Sequence, residues 1–310
     1  MKKVLLIHGG NSTEHEISNI SALSIINNID KTKYDLESVL ITQNNEWISD
    51  NKKVDNIINY LKSFDVVFPI THGNQGEDGK LQGLLDLFNI NYVGSKCGPS
   101  YICMDKSRTK EILSYHNIPQ VPYQIYKKNF KLNLDFPVIV KPANGGSSIG
   151  IQVANNEKEL KKAVDNALLY DQKVIIEKFI NAQELECAVL ENKKLVISEV
   201  GEIISAKNFY DYEAKYKNKE SKTIIPADIP DDISKKIKKY TKEIFEILEL
   251  SSFSRVDFFY DSINNKIYLN EINTIPGFTE ISMYPKLIMD KGYTYKELIS
   301  ILIENAKKAS

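Results

Sequence analysis

Residues 253–279 read FSRVDFFYDSINNKIYLNEINTIPGFT, and this stretch decides how the rest of the chain is read. The β-rich runs 255–260 and 266–274 flank the turn-forming cluster Asp261-Ser262-Ile263-Asn264-Asn265, a pattern that predicts an antiparallel hairpin. Side chains alternate faces along a strand, so Arg255, Asp257 and Phe259 share one face, as do Leu269, Glu271 and Asn273. A turn centred near Asn264 sets Asp257 opposite Glu271. Two carboxylates across one ladder repel unless something positive lies between them. Oxygen donors from Asp, Glu and Asn suit a hard cation such as Mg²⁺, which keeps a few protein ligands and takes the rest from water and phosphate. The bland alternative is a solvated polar face. Phe259 and Leu269 argue against it, because a strand apolar on both faces is covered on both, and buried carboxylates need partners.

A chain of 310 residues can bury a substantial core and suggests two or three domains. Lys and Arg total 40 and Asp and Glu total 41, leaving a formal charge of −1, so nothing calls for nucleic acid or an anionic membrane as partner. In MKKVLLIHGG the apolar run before His8 is too short for a signal peptide, and the segment reads as a strand. No apolar run approaches the roughly 20 residues that span a bilayer. Cys97, Cys103 and Cys187 form no CxxC, which points to neither a disulfide framework nor a zinc site. A cytoplasmic protein is expected. Charge runs such as KKIKK at 235–239 read as solvated helix faces.

The strand 4–7 ends in His8-Gly9-Gly10 and leads into a helix over 14–29. Strand, glycine turn and helix form an anion-binding arrangement of free N–H groups at a strand tip. Thr13-x-x-Glu16 also fits a capping box, a structural role for Glu16. A second buried-type strand, 65–71, runs into the glycine-rich loop 72–79 and a helix over 80–88, so two loops border one crevice. His72 there is a site candidate, although backbone-satisfied loop histidines are ordinary. The first α/β domain closes near residue 95. A helix over 105–115 and strands 121–126 and 136–142 follow, the last carrying Lys141. The Gly/Ser loop 143–150 then precedes strand 151–154 and offers N–H and hydroxyl donors to phosphate; the alternative is a flexible hairpin tip. Helix 157–169, strand 174–180, hairpin 185–200 and helices 231–249 and 294–307 complete the expected elements. Between them, 205–228 lacks clear periodicity but carries Tyr210, Tyr212 and Tyr216 among charges, as a functional lid does.

Gly146-Ser147-Ser148-Ile149-Gly150 matches the GxSxG of serine hydrolases, yet that fold needs a strand-to-helix elbow and a histidine after the serine. All four histidines, His8, His15, His72 and His116, come before it. Neither GxxxxGK[ST] nor GxGxxG occurs, so a nucleotide enzyme here needs another fold.

Several motifs in order resemble one family. They are Gly9-Gly10 with Glu14-His15-Glu16-Ile17-Ser18, His72-Gly73 with Gly76-Glu77-Asp78-Gly79, and Met104-Asp105-Lys106. Val140-Lys141-Pro142 with the loop 146–150, the run FYDYEAKY at 209–216, and NEINTIPGFT at 270–279 continue the series. The chain resembles the D-alanine–D-alanine ligases of the ATP-grasp superfamily from about residue 4 to about residue 300. The resemblance implies an α/β (α+β) three-domain ATP-grasp fold with an N-terminal Rossmann-like (preATP-grasp) domain. Its domains would be 1–95, 96–183 and 184–310, with 205–228 as lid. It further implies that Lys106, Lys141, Lys215 and Ser148 bind ATP phosphates, that Glu177, Phe179 and Ile180 contact adenine with Phe209 and Leu269 nearby, and that Glu184 holds the ribose. Asp257, Glu271 and Asn273 match the Mg²⁺ ligands, in agreement with the hairpin argument. Glu16, Ser147 and Tyr216 match a hydrogen-bonded triad over the first amino acid, with His72 also on the substrate side. Arg255 and the Gly277 N–H match donors to the transferred phosphate and the oxyanion, and Ser282 and Met283 match the pair that receives the second amino acid's carboxylate.

The chemistry fits these groups. A carboxylate is a poor electrophile, so the first D-alanine must take the γ-phosphate and become an acyl phosphate, with cations offsetting the charge. The second amine then attacks, and a closing lid keeps water from the intermediate. Tyr216 matches members that add D-alanine. The expected product is therefore D-alanyl-D-alanine for peptidoglycan precursors, with a D-Ala-D-Ser or other ATP-grasp carboxylate–amine ligase as the alternative. A rival of another class is a nucleotide-binding regulator that has lost turnover; intact Arg255, Asp257, Glu271 and Asn273 argue against it. The expected cofactors are ATP as substrate and two Mg²⁺ ions, with Mn²⁺ as substitute. The expected partners are D-alanine and a second copy of the chain.

Overall fold

The computed structural model describes residues 1–204 and 222–306. The N-terminal apolar run becomes β1 (Lys2–Gly9), whose Val4, Leu5, Leu6 and Ile7 have no exposed surface. After β1 come α1 (His15–Asn28), β2 (Tyr34–Ile41), β3 (Trp47–Ser49), β4 (Lys52–Lys53), α2 (Ile57–Leu61), β5 (Val66–Pro69) and α3 (Lys80–Leu87). The sheet order is β4-β3-β2-β1-β5, and β1 pairs in parallel with both β2 and β5. A central parallel strand is covered on both faces, which explains its unbroken apolar sequence.

Next come α4 (Cys97–Met104) and α5 (Lys106–Tyr115), followed by β6 (Tyr123–Ile125), β7 (Val138–Pro142), β8 (Gln152–Ala154), α6 (Glu157–Ala167) and β9 (Val174–Lys178). These four strands make a separate antiparallel sheet ordered β6-β9-β7-β8. The third sheet, β12-β11-β10-β13-β14, is built from β10 (Gln183–Glu191), β11 (Leu195–Ile204), β12 (Lys222–Ile224), β13 (Phe253–Asp261) and β14 (Lys266–Asn273). Helix α7 (Asp231–Ile247) packs Ile233, Ile237, Ile244 and Phe245 inward and leaves Lys235, Lys236 and Lys239 in solvent, as its charge run predicts. The chain continues through α8 (Met283–Asp290) and α9 (Tyr295–Glu304). Among the described residues no helix is long and apolar enough to cross a membrane.

The apolar cores group these elements unequally. Val4, Leu6, Ile25 and Phe68 from the first unit share one cluster with Phe253, Phe278, Tyr284 and Leu298 from the last. The middle sheet keeps its own, drawn from Val138, Val140, Leu160, Val164, Val174 and Ile176.

The hairpin forms with Arg255 opposite Asn273 and Asp257 opposite Glu271. The register then shifts, pairing Phe258 with Leu269 and leaving Asn270 as the extra residue of a bulge. This corrects the expected face for Leu269. It is 2 % exposed in the core with Ile267 and Ile272, so it does not share a face with Glu271. Three helices escape the periodicity reading, the five-residue α2 among them. Helix α4 begins Cys-Gly-Pro and α8 carries Pro285 in its first turn, where a missing N–H costs nothing. Strand β12 also falls within the stretch expected to be irregular.

Candidate active site

The bulged hairpin concentrates charge at one end of the third sheet. Arg255 donates from Nε to Asp257 Oδ1 and from Nη2 to Asp257 Oδ2, both at 2.7 Å, and its Nε lies 2.9 Å from Glu186 Oε2. Glu186 comes from β10, directly across the ladder from Asp257. Asn273 donates to Asp257 Oδ2 at 2.9 Å, and Lys106 lies 3.5 Å from Glu271 Oε2. These groups fit a divalent cation. The donors are hard oxygens, Asp257 and Glu271 are adjacent across the ladder, and positive groups already offset their charge. Among the described residues no three His, Cys, Asp or Glu side chains form a closed cage. A partial protein shell is what an ion shared with phosphate and water requires.

The middle sheet lies over this end. A cavity of about 150 Å³ is lined by Lys141, Ser148, Phe179, Ile180, Glu184 and Asn270, and also by Glu177 and Lys106. Ser147 and Ser148 take the left-handed φ values 51° and 59°, so their loop is bent tightly between β7 and β8. Glu177 is buried between two ammonium groups, Lys110 at 2.9 Å and Lys141 at 2.8 Å. Burial alone would raise its carboxyl, but the two lysines bring it down to about 2.

A second cavity of about 780 Å³ adjoins the first and shares Lys106, Gly145, Gly146, Ser147 and Glu271 with it. Glu14, Arg255, Gly277 and Ser282 face it from both end units. Ser147 donates to Glu14 Oε1 at 2.6 Å, linking the middle unit to the first. The approach is close: a Cβ on Gly146 would sit 2.7 Å from Glu14 Oε2. The same cavity takes in Glu77, whose carboxyl burial pushes up to about 7 with Glu14 adding to the effect. Thr279 donates its backbone N–H to Ser282 Oγ at 3.1 Å at the start of α8, beside Met283.

Family models for the N-terminus of D-Ala-D-Ala ligases match residues 3–60 and 51–95, and one for the C-terminus of these ligases matches residues 112–304. The chain belongs to the D-alanine–D-alanine ligase family. It is 44% identical to the D-alanine–D-alanine ligase of Clostridium acetobutylicum, covering 98% of each chain. It is 42% identical to that of Caldicellulosiruptor bescii, over 98% of this chain and 94% of the relative. The crystal structure of the VanG D-Ala:D-Ser ligase from Enterococcus faecalis superposes with a TM-score of 0.87 at 36% identity, covering 98% of both chains. The D-alanine–D-alanine ligase of Coxiella burnetii gives 0.84 at 33% identity, over 98% of this chain and 93% of that one. The three sheets are thus a three-domain ATP-grasp arrangement, and membership of this ligase family brings use of ATP and a divalent metal.

Set against the family pattern, two residues change place. Glu16 is exposed, does not reach Ser147 and makes no capping box; the residue before α1 is Glu14, with no side-chain cap bond. Glu14 is the glutamate at Ser147. Helical spacing could have chosen it: counting back from the buried Ile25, Ser21 and Ser18 by threes and fours arrives at Glu14, whereas Glu16 falls on the outer side with Ile20. Likewise Leu269 belongs to the core, and the β14 residues at the smaller cavity are Asn270 and Glu271. No period-two reading detects a bulge. Lys110 and Glu186 were also missed, since neither stands in a recognisable motif. Phe209, Lys215 and Tyr216 lie outside the described residues.

The ligase family's triad then yields a sharp comparison. Glu14→Gln should raise the KM for the first amino acid about 10- to 100-fold, the size of a lost charge-assisted hydrogen bond. Glu16→Gln, on the exposed side, should leave it unchanged. Steady-state kinetics of the two variants checks this, and the reverse order would return the role to Glu16.

Proposed function

We propose that this chain joins two D-alanines through a D-alanyl phosphate, with ATP as phosphate donor. The observation that carries the reading is the junction of the two cavities. Lys106, Glu271 and the loop 145–147 belong to both, so a γ-phosphate in one meets a carboxylate in the other. In this reading Lys106, Lys141 and Ser148 hold phosphate, and Phe179, Ile180, Glu177 and Glu184 hold the nucleoside. Asp257, Glu271 and Asn273 hold Mg²⁺ or Mn²⁺, with two ions the expected number. Bound there, the metal supplies positive charge to the phosphate oxygens during transfer. Glu14 takes the ammonium of the first amino acid, and Ser282 with Met283 receives the carboxylate of the second. Arg255 and the Gly277 N–H stabilise the oxyanion that forms when the second amine attacks.

ADP release, measured with ATP and D-alanine, D-serine or D-lactate in turn, tests the reading. D-alanine alone should support turnover together with dipeptide. Turnover that needs D-serine beside D-alanine would move the chain to the second subsite chemistry named for the Enterococcus faecalis relative. Turnover with none of the three would end the ligase reading. We also propose a cytoplasmic homodimer, which light scattering on the purified chain checks against the 35.3 kDa monomer.

A further inference from the structure

The four residues Ile275-Pro276-Gly277-Phe278 carry the Gly277 N–H, and the polar backbone groups on either side of it are held by side chains of the first unit. Ile275 donates its N–H to Glu77 Oε1 at 3.0 Å, and Glu77 Oε2 accepts from Gly73 N–H at 3.1 Å. The Ile275 carbonyl accepts from His72 Nδ1 at 2.8 Å. Because Nδ1 carries that proton, Nε2 is the acceptor for the Ser21 hydroxyl, 3.1 Å away. Burial lowers the His72 pKa, which favours this neutral ring. Ser21 Oγ in turn accepts the Phe278 N–H at 3.3 Å. A two-side-chain relay therefore joins the Ile275 carbonyl to the Phe278 N–H, the two groups that a simple turn would bond directly. Pro276 has no N–H to give. Among the described residues nothing accepts the Gly277 N–H, and Gly277 lines the larger cavity.

Docking of the units does not by itself call for this arrangement. Phe278, Tyr284 and Leu298 already share an apolar core with Leu6, Ile25 and Phe68, and burying polar side chains beside it costs free energy unless they are well bonded. Ser21 and His72 are buried, and with Glu77 they bond the Ile275 N–H, the Ile275 carbonyl and the Phe278 N–H, three groups of one four-residue segment. Both ring nitrogens of His72 are committed, so it meets the amino-acid cavity as a brace for the backbone.

We propose that Ser21, His72 and Glu77 are positioning residues for the amide-forming step: they fix the peptide groups before and after the Pro276–Gly277 peptide and so aim the Gly277 N–H at the oxyanion. The inference rests on the reading of Gly277 as an oxyanion donor. In that step the amine nitrogen bonds to the acyl carbon and the carbonyl oxygen takes the negative charge. The C=O then re-forms as the C–O bond to phosphate breaks, inorganic phosphate leaves with that electron pair, and the amine's proton passes to the phosphate or to water. A misdirected donor slows this attack more than the earlier phosphoryl transfer, and the waiting acyl phosphate is lost to water as D-alanine and phosphate.

The test measures ADP and dipeptide in one assay for the wild-type chain, Ser21→Ala, Ser21→Thr and Glu77→Gln. Wild type should give about one dipeptide per ADP; failure there defeats the ligase reading itself and not this inference. Ser21→Ala should raise the share of ADP formed without dipeptide about three- to tenfold, the size of one lost hydrogen bond, with the KM for ATP unchanged. Ser21→Thr, which keeps the hydroxyl, should restore the wild-type share. Glu77→Gln turns one acceptor into a donor facing an N–H and should behave like Ser21→Ala. If it does not fold, Ser21→Ala carries the test, since alanine suits a helix. A wild-type share in Ser21→Ala, whether or not both products fall together, would overturn the proposal.

Discussion

Glu271→Gln should cut dipeptide formation about 10²- to 10³-fold, the size of removing one strong preorganised electrostatic contact from an active site. Stability should hardly change. The side chain is 23 % exposed and its ion pair with Lys106 spans 3.5 Å, so the pair adds little to folding. The amide keeps the shape of the carboxylate and removes its charge opposite Asp257. Turnover and thermal unfolding, measured side by side, separate the two roles. A fall in Tm of ten degrees or more with proportional loss of activity would make Glu271 a structural residue.

Glu177→Gln should do the opposite and weaken the fold. Lys110 and Lys141 would keep their burial and lose the carboxylate between them, and breaking such a pair costs about 3–5 kcal/mol. At about 2–4 °C per kcal/mol for a unit of this size, Tm should drop on the order of 10 °C. The pH dependence supplies a second check. The folded-state pKa of about 2 lies below the ordinary 4.5, so the stabilisation is complete above 4.5 and disappears as pH falls toward 2. Urea unfolding across that window should lose this acid limb in the variant. An unchanged limb would assign it to other carboxylates.

The hairpin was legible because its chemistry and its period agree. Alternation put Asp257 and Glu271 together, and the register bears that pairing out. The same alternation misplaced Leu269, since an inserted residue inverts every later face and leaves no mark in composition. Glu14 and Glu16 are separated only by their angle around α1, and a plausible capping motif drew attention to the wrong one. The short helices α4 and α8 were hidden by Pro99 and Pro285, which read as breakers yet sit in first turns. Long-range polar partners such as Lys110 with Glu177, or Ser21 with Phe278, are set by how separate units meet, which no local pattern records.

The unequal division of the apolar clusters has a mechanical consequence. The first and last units are welded by Phe253, Phe278 and Tyr284, and prising them apart would wet a large greasy seam. The middle sheet has its own filling and meets α5, whose Leu113 packs in the core of the third sheet, through the ion pairs Lys110–Glu177 and Lys173–Asp105. Swinging it exposes little oil and chiefly rearranges charge, which an incoming polyanion can itself compensate. The molecule is therefore built like a clamp with one rigid jaw: stiff where the small zwitterions are gripped, compliant where the large, highly charged reactant enters and leaves.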